Sequence, residues 1–278
     1  MTTSIHTNTS AMIALQNLNR TNDQLASTQS RVNTGLKVQG ARDNAAVWAV
    51  AQGQRADRGS LEAVATSLNR ATSIADVSLA AGEQISDLLI ELKGKATAAS
   101  DESATLAMRT SYNDEFQALL KSIQSFADNA IFDGSNILDG SATAGINFLA
   151  SADGAETITL NRQDLTLAGL GLSTTPAAPD LLTKAKADDA LTRINTAIST
   201  STARLAELGA QSKQIERHTT YVGKLSDALE AGIGNLVDAD LAKESARLQA
   251  LQVQQQLGVQ ALSIANQAPQ IILSLFKG

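Results

Sequence analysis

Small and apolar residues recur every seven positions along two interleaved series between residues 61 and 99. The two series are offset by three residues, which places both on one face of an α-helix, as in helices that pack side by side. We therefore predict one long helix with a narrow packing seam. The seam positions are Leu61, Val64, Leu68, Ala71, Ala75, Ser78, Gly82, Ile85, Leu89, Leu92, Ala96 and Ala99.

A second helix is predicted after a turn at residues 100–103. Its apolar residues alternate steps of four and three, so they form one stripe on a helical surface. This stripe carries the largest side chains of the predicted seams. Its members are Tyr112, Phe116, Leu119, Ile123, Phe126 and Ala130.

A third helix is predicted over residues 181–236, with a seven-residue ladder from Ile194 to Leu236 and Leu191, Ile198 and Leu205 as partner positions. Three matching seams predict a mainly α fold, an elongated antiparallel helical bundle. The chain would go up, return and go up again, with both ends emerging at one pole. We expect the bundle core to contain Leu61, Leu68, Ile85, Leu92, Phe116, Ile123, Ile194, Leu208, Ile215 and Val222.

Between residues 131 and 180 the seven-residue repeat is lost. Glycines punctuate short runs such as INFL at 146–149 and ETITLN at 156–161. Alternating or β-branched runs between turn residues are typical of short strands. We therefore predict a small β-hairpin region that caps the bundle.

The C-terminal segment is uncharged but not uniformly apolar. Residues 248–276 contain no Lys, Arg, Asp or Glu, and eight of them are Gln. A membrane span needs about 20 predominantly apolar residues, and amide side chains are costly in lipid, so we predict no membrane insertion. A Gly-Ile-Gly at 232–234 predicts a break before this helix. One apolar stripe holds Val253, Leu257, Ala261, Ile264, Ile271 and Leu275, and a second holds Leu241, Leu248, Leu251, Leu262 and Ala265.

The N-terminal segment resembles the C-terminal one in its lack of charge, since residues 1–19 also contain no Lys, Arg, Asp or Glu. A basic n-region and a small-residue cleavage site, which a secretory signal peptide needs, are absent before Arg20. One helical face carries Ala11, Leu15, Leu18, Leu25, Val32 and Leu36.

Two stripes on one terminal helix need two sets of neighbours. We therefore expect the terminal helices to pair with each other as a coiled coil and then to contact other copies of the chain. The predicted subunit-interface residues are Leu15, Leu18, Leu25, Val32, Leu241, Leu248, Leu251, Leu257, Leu262, Ile264 and Leu275.

Composition narrows the function classes. The net charge of −6 argues against nucleic-acid binding, which needs basic patches. The absence of cysteine excludes disulfides, thiol chemistry and cysteine-based zinc sites.

Candidate chemistry is equally sparse. His6 and His218 have no cysteines or paired carboxylates near them in the sequence, which favours packing or surface roles over metal binding. Asp238 and Asp240 stand where the last helix begins, where negative charge is favourable. The DGSNILDG run at 133–140 lacks the twelve-residue calcium loop and is better explained as turns. We predict no enzymatic activity, no cofactor and no metal site.

Several segments resemble bacterial flagellins in the same order along the chain. Residues 236–252 (LVDADLAKESARLQALQ), 254–267 (QQQLGVQALSIANQ) and 272–276 (ILSLF) are similar to the flagellin C-terminus almost word for word. The flagellin N-terminus is matched by SIHTN at 4–8, ALQNL at 14–18, RVNTGLKV at 31–38 and ARDNAAVWAVA at 41–51, followed by NAIFDG at 129–134 and ILDG at 137–140.

The resemblance implies a short flagellin without large outer domains, a structural subunit that polymerises into the bacterial flagellar filament for swimming motility. Its terminal helices would fold on assembly. It also implies partners: other copies of the chain, a flagellar export chaperone at the C-terminus between Asp238 and Phe276, the filament cap and hook-associated proteins. The protein would lie outside the cell, exported without a cleavable signal peptide.

A hook-filament junction protein is the alternative, because such proteins share the bundle and the uncharged termini. The near-verbatim C-terminus favours the filament subunit. The expected organisation is an inner-domain helix at 1–36, two bundle helices at 37–130, the hairpin region at 131–180, the third bundle helix at 181–235 and the last inner-domain helix at 236–278.

Overall fold

The computed structural model describes residues 7–141, 144–173 and 178–275, with side chains as far as residue 267. Within them the chain forms five helices and two short antiparallel hairpins, so the predicted mainly α fold with a hairpin region is confirmed. The helices are α1 (Thr9–Thr34), α2 (Ala45–Ser100), α3 (Leu106–Asn129), α4 (Lys184–Val237) and α5 (Leu241–Leu275), and the strands are β1 (Ile131–Phe132), β2 (Ser135–Asn136), β3 (Ile146–Leu149) and β4 (Thr157–Leu160).

The chain divides into two compact units. The larger holds residues 57–227, and the smaller holds residues 1–56 and 228–278. Helices α2 and α4 contribute residues to both.

The seam of α2 forms the interior of the larger unit. Every position of its two heptad series, from Leu61 to Ala99, is buried. On α4 the ladder from Ile194 to Val222 is buried as well, while Ala190 and Ala197 fill the interior one position before the predicted Leu191 and Ile198. The residues expected in the bundle core are all between 0% and 3% exposed: Leu61, Leu68, Ile85, Leu92, Phe116, Ile123, Ile194, Leu208, Ile215 and Val222.

Helix α3 packs through a stripe that is shifted from the predicted one. Phe116 and Ile123 are buried, but Leu120 and Ala127 complete the stripe. Phe126, which was expected in the seam, is 40% exposed. Residues separated by alternating steps of three and four lie on one face of an α-helix. The predicted stripe with Phe126 and the observed stripe with Ala127 both have this spacing. Side-chain size, which favoured Phe126 over Ala127, therefore predicted the wrong face of α3.

The directions of the bundle helices differ from the prediction that each would run opposite to the one before it. The Asp188 carboxylate in the first turns of α4 is hydrogen-bonded by Ser100 at the end of α2, and Gly82 faces Leu205 farther along. Helix α4 is therefore antiparallel to α2. Helix α3 also runs back along α2, because Arg109 near its start donates a 2.9 Å hydrogen bond to a carbonyl in the last turn of α2. Helices α3 and α4 thus run in the same direction.

The described residues between 131 and 180 lie along the helices, so the expectation that they cap the bundle is wrong. The Leu149 N–H donates a 3.1 Å hydrogen bond to Ser67 Oγ on α2, and the Leu181 N–H donates one of 3.1 Å to Asn113 Oδ1 near the start of α3. Helix α3 has 24 residues and α2 has 56. The hairpin segment covers helix surface that the short α3 leaves open.

The smaller unit has its own core, where the α1–α2 and α4–α5 connections meet. The N–H groups of Lys37 and Val38 both donate to the Val237 carbonyl, at 2.8 and 3.3 Å, and Ala239 N–H donates to the Gly35 carbonyl at 2.8 Å. These bonds hold the two connections together. The core contains Val38, Ala51, Ile233 and Val237, with Leu36, Val47, Trp48 and Leu236 packed against it.

Helix α4 continues through both Gly232 and Gly234 to Val237, so the break predicted at the glycines is wrong. The helix ends at residues 238–240. Asp240 accepts a 3.1 Å hydrogen bond from the Lys243 N–H and so caps α5, which confirms its expected place at the start of the last helix.

Candidate self-assembly surface

Helices α1 and α5 pack antiparallel within the smaller unit, and polar contacts set their register. Arg31 Nη1 lies 3.4 Å from Glu244 Oε1. At the other end of the pair, the Asn8 side-chain amide donates a 2.7 Å hydrogen bond to the Ala265 carbonyl. The two terminal helices therefore lie side by side.

The middle of the pair combines a polar contact with a close approach. Gln255 Nε2 donates a 2.8 Å hydrogen bond to Asn22 Oδ1. One turn along, a Cβ added to Gly258 would lie 3.2 Å from Leu18 Cδ1. Glycine at this position lets the two helices come together without displacing the leucine.

The face of α1 toward α5 contains two threonines that the sequence pattern did not single out. Thr21 and Thr28 are 6% and 2% exposed, and the Thr21 hydroxyl donates a 2.9 Å hydrogen bond to the Asn17 carbonyl. That bond satisfies the buried hydroxyl. Leu15 is 48% exposed and lies outside this face. The half-buried residues of the face are Ala11, Leu18, Leu25 and Val32.

The spacing of Thr21 and Thr28 along the sequence could have indicated that they face α5. They fall at heptad positions between Leu18, Leu25 and Val32, three residues after the first two leucines. A pattern search that counts only strongly apolar residues passes over them.

The two stripes of α5 have different environments. Leu251 is 5% exposed, and Leu248, Leu262 and Ala265 are half-buried toward α1. The other stripe is open: Val253, Leu257 and Ile264 are 56%, 60% and 69% exposed, and Ala261 is exposed too. Leu241, predicted with the first group, is 51% exposed. The side chains of Ile271 and Leu275 lie outside the described residues.

Exposed apolar side chains also occur on α1. Met12 and Ile13 are 56% and 58% exposed, close to the 48% of Leu15. No charged residue occurs in residues 7–19 or 248–267. A cluster of exposed apolar side chains without charge is typical of a protein interaction surface. We use the name outer face of the helix pair for the exposed apolar residues of α1 and α5 that do not pack between the two helices: Met12, Ile13, Leu15, Val253, Leu257 and Ile264.

The described residues contain no group of His, Asp and Glu arranged to hold a metal ion. His218 Nε2 hydrogen-bonds the Ala150 carbonyl oxygen at 2.7 Å. His6 lies outside the described residues. Asp133 and Gly134 take positive φ angles of 48° and 73° in the β1–β2 turn, which explains the Asp-Gly pair structurally. None of the described helices is long and apolar enough to cross a bilayer.

Two family models match the chain. The model of the bacterial flagellin N-terminal helical region matches residues 5–143, and the model of the bacterial flagellin C-terminal helical region matches residues 191–276. Together they include all of α1, α2, α3 and α5 and most of α4.

Full-length relatives agree. Flagellin FljK of Caulobacter vibrioides is 52% identical over 99% of this chain and 98% of its own length, and a flagellin of Brucella melitensis is 38% identical over 99% of both chains. A structure described as a flagellar hook-associated protein from Vibrio parahaemolyticus is similar with a TM-score of 0.57 and 11% identity, covering 70% of this chain and all of that one. That likeness concerns the fold alone. The chain belongs to the bacterial flagellin family.

Proposed function

We propose that this flagellin polymerises through the outer face of its α1–α5 helix pair. As a flagellin, the chain is an extracellular structural subunit of the flagellar filament, a polymer of such subunits, and is not an enzyme. The proposal concerns which residues make the subunit contacts.

The supporting observation is the contrast between the two stripes of α5. One stripe is satisfied by α1 within the same chain, whereas Leu257 and Ile264 expose 60% and 69% of their surface. Full burial of an exposed Leu or Ile side chain contributes about 1.5–3 kcal/mol, and more than half of that surface is still exposed at Leu257 and Ile264. Most of the apolar surface of the outer face is therefore buried only when another copy covers it, and that burial stabilises the assembly.

The inner stripe serves a different purpose in this proposal. Leu18, Leu25, Val32, Leu248, Leu251 and Leu262 hold the helix pair together within one chain. Leu15, Leu257 and Ile264, with Leu241, then contact neighbouring copies. A contact between two different faces can repeat from copy to copy, and it generates a helical polymer when the rotation between copies does not close a ring.

We further infer that the helix pair becomes fully ordered only on assembly. Apart from Leu251, Thr21 and Thr28, its described residues are half-buried or exposed. Ordering a residue costs about 1–2 kcal/mol of backbone entropy, and limited burial offsets little of it. Neighbouring copies would supply the missing burial.

The same uncharged surface accounts for the remaining proposed partners. An export chaperone would cover the stripes of residues 238–276 before assembly, and the filament cap and hook-associated proteins would contact the ends of the polymer. The only support for a role as a hook-filament junction protein is the fold that this chain shares with the hook-associated protein.

Seeded elongation tests the proposed surface. We would add purified chain to short filament fragments and follow filament length by negative-stain microscopy. The outer-face variant is Leu257→Gln with Ile264→Gln, since glutamine keeps helix propensity and removes apolar surface. The matched control is Leu106→Gln with Met108→Gln, two exposed apolar residues of α3.

Wild type and the control should elongate alike, while the outer-face variant should elongate at least ten-fold more slowly. Equal elongation by the outer-face variant and the control would place the subunit contacts elsewhere.

A further inference from the structure

One face of α2 in the larger unit is acidic. Residues 71–92 contain four carboxylates and no Lys or Arg. Asp76, Glu83, Asp87 and Glu91 are all exposed, on the side of the helix opposite the buried seam. A helix surface with one sign of charge attracts a partner surface of the other sign.

An apolar depression of about 300 Å³ lies beside these carboxylates. Val77, Ala80 and Ala81 of α2 and Phe126 of α3 line it. Phe126 keeps 40% of its surface exposed. We call Asp76, Glu83 and this depression the acidic face.

Helix α4 carries the complementary features. Lys213, Arg217 and Lys224 are exposed along one side, and Tyr221 between the last two is 56% exposed. Glu216 is the one acidic residue between 213 and 224. We call Arg217, Tyr221 and Lys224 the basic face.

The spacing of the two faces is the same. Asp76 precedes Ala80 by four residues and Glu83 follows it by three, while Arg217 precedes Tyr221 by four and Lys224 follows it by three. Both charged pairs are thus about 10 Å apart along a helix that rises about 1.5 Å per residue. Asp76 and Glu83 flank the apolar depression. Arg217 and Lys224 flank the ring of Tyr221.

In the described residues, neither face forms an ion pair with an opposite charge of the same chain, although Glu156 lines the same depression as Arg217 and Tyr221. Exposed charges that stay unpaired in one copy are available to another.

We propose that the acidic face of one copy docks on the basic face of the next copy in the filament, with Tyr221 entering the depression beside Phe126. Asp76 and Glu83 then pair with Arg217 and Lys224. Because the two faces differ, the contact is heterologous, and such a contact can repeat from copy to copy along a helical filament. This inference rests on the proposed polymerisation and adds a second, charge-dependent contact to that of the helix pair.

Charge reversal tests it in the full-length chain. One variant is Asp76→Lys with Glu83→Lys, and the other is Arg217→Glu with Lys224→Glu. Their controls reverse exposed charges elsewhere in the larger unit: Glu102→Lys with Asp114→Lys, and Lys93→Glu with Lys121→Glu. Helical circular dichroism checks that each monomer is folded, and seeded elongation is measured at 0.05 M and 0.5 M salt.

Each face variant alone should need about ten-fold more protein to elongate at low salt, since like charges then meet. High salt should reduce the defect, because the screening length falls to a few ångströms. An equimolar mixture of the two variants should elongate like wild type, and so should the chain that carries all four reversals when its seeds are made from that same chain. The controls should elongate normally.

Normal elongation by either face variant alone would overturn the contact, and so would failure of both the mixture and the fourfold variant. These outcomes are separate from those of the helix-pair proposal, since the Leu257→Gln and Ile264→Gln defect should persist at both salt concentrations and is not rescued by mixing.

Discussion

The side-chain amide of Gln255 on α5 donates a 2.8 Å hydrogen bond to the side-chain oxygen of Asn22 on α1. Both residues are half-buried in the middle of the helix pair. Shifting the helices by one turn would separate the two amides and leave them without this partner. A polar pair at such a position favours a single register over its neighbours, as polar residues do in coiled coils.

Asn22→Ala and Gln255→Ala should each weaken the filament by about 1 kcal/mol, because each loses the same hydrogen bond. The double variant should be little worse than either single one. The measurement is the concentration of free subunit that remains above assembled filaments, which rises about five-fold for 1 kcal/mol. Fully additive losses would show that the two amides do not depend on each other.

Gly82→Ala and Gly94→Ala should differ although both lie within α2. A Cβ at Gly94 meets nothing within 4 Å, so the alanine should raise the free energy of unfolding by about 0.5–1 kcal/mol through helix propensity. A Cβ at Gly82 would lie 2.3 Å from Leu205 Cδ2, which must move. Gly82→Ala should therefore be less stable than Gly94→Ala by about 1 kcal/mol or more. Urea unfolding followed by circular dichroism tests this order, and the reverse order would contradict the close packing of α2 on α4.

Arg109→Ala should destabilise the larger unit by about 1–2 kcal/mol. Its guanidinium donates to the Ala99 carbonyl at 2.9 Å and to the Asp101 carbonyl at 2.7 Å, where α2 ends. Loss of the side chain leaves these carbonyls without that donor. Lys121→Ala on the same helix is the control and should change the free energy of unfolding by less than about 0.5 kcal/mol. A similar effect from both changes in urea unfolding would rule out the capping role.

In the Asp188→Asn variant, the free energy of unfolding should fall less steeply as the pH is lowered than it does in the wild type. Hydrogen bonds from Lys184 and then Ser100 hold the pKa of the Asp188 carboxyl below its ordinary value. Because the folded-state pKa is the lower one, this contribution is present above the unfolded-state pKa of about 4 and is lost as pH falls through the folded-state pKa. Urea unfolding of wild type and variant from about pH 6 to pH 2 measures the effect. The two curves should converge at the acid end, whereas a constant gap would remove the titration of Asp188 as the cause.

Much of the larger unit followed from the sequence. The heptad series from Leu61 to Ala99 is buried at every position, because a seven-residue repeat keeps the same side of a helix turned inward over many turns. The loss of that repeat after Asn129 likewise marked the hairpin region. The flagellin motifs at both ends of the chain identified the family, and the family models agree.

Phase was harder to predict where two choices have the same spacing. On α1, Leu15 looked like the natural member of the inner face, yet Thr21 and Thr28 are buried there and Leu15 is exposed. On α3, Ala127 is buried and Phe126 is not. Hydrophobicity alone ranks these residues the other way. The room available between helices decides which residue turns inward, and that room depends on the partner helix.

The sequence by itself determined where the helices lie, which residues form the bundle core and that both termini are uncharged and striped, because periodicity and charge are local properties of the chain. Only the tertiary structure decided that α4 runs parallel to α3 and that one stripe of α5 is covered by α1 while the other stays open. These depend on where the described part of residues 131–180 lies along the helices and on the register of the helix pair. Both are set by contacts between residues far apart in sequence, such as Leu181 with Asn113 and Gln255 with Asn22.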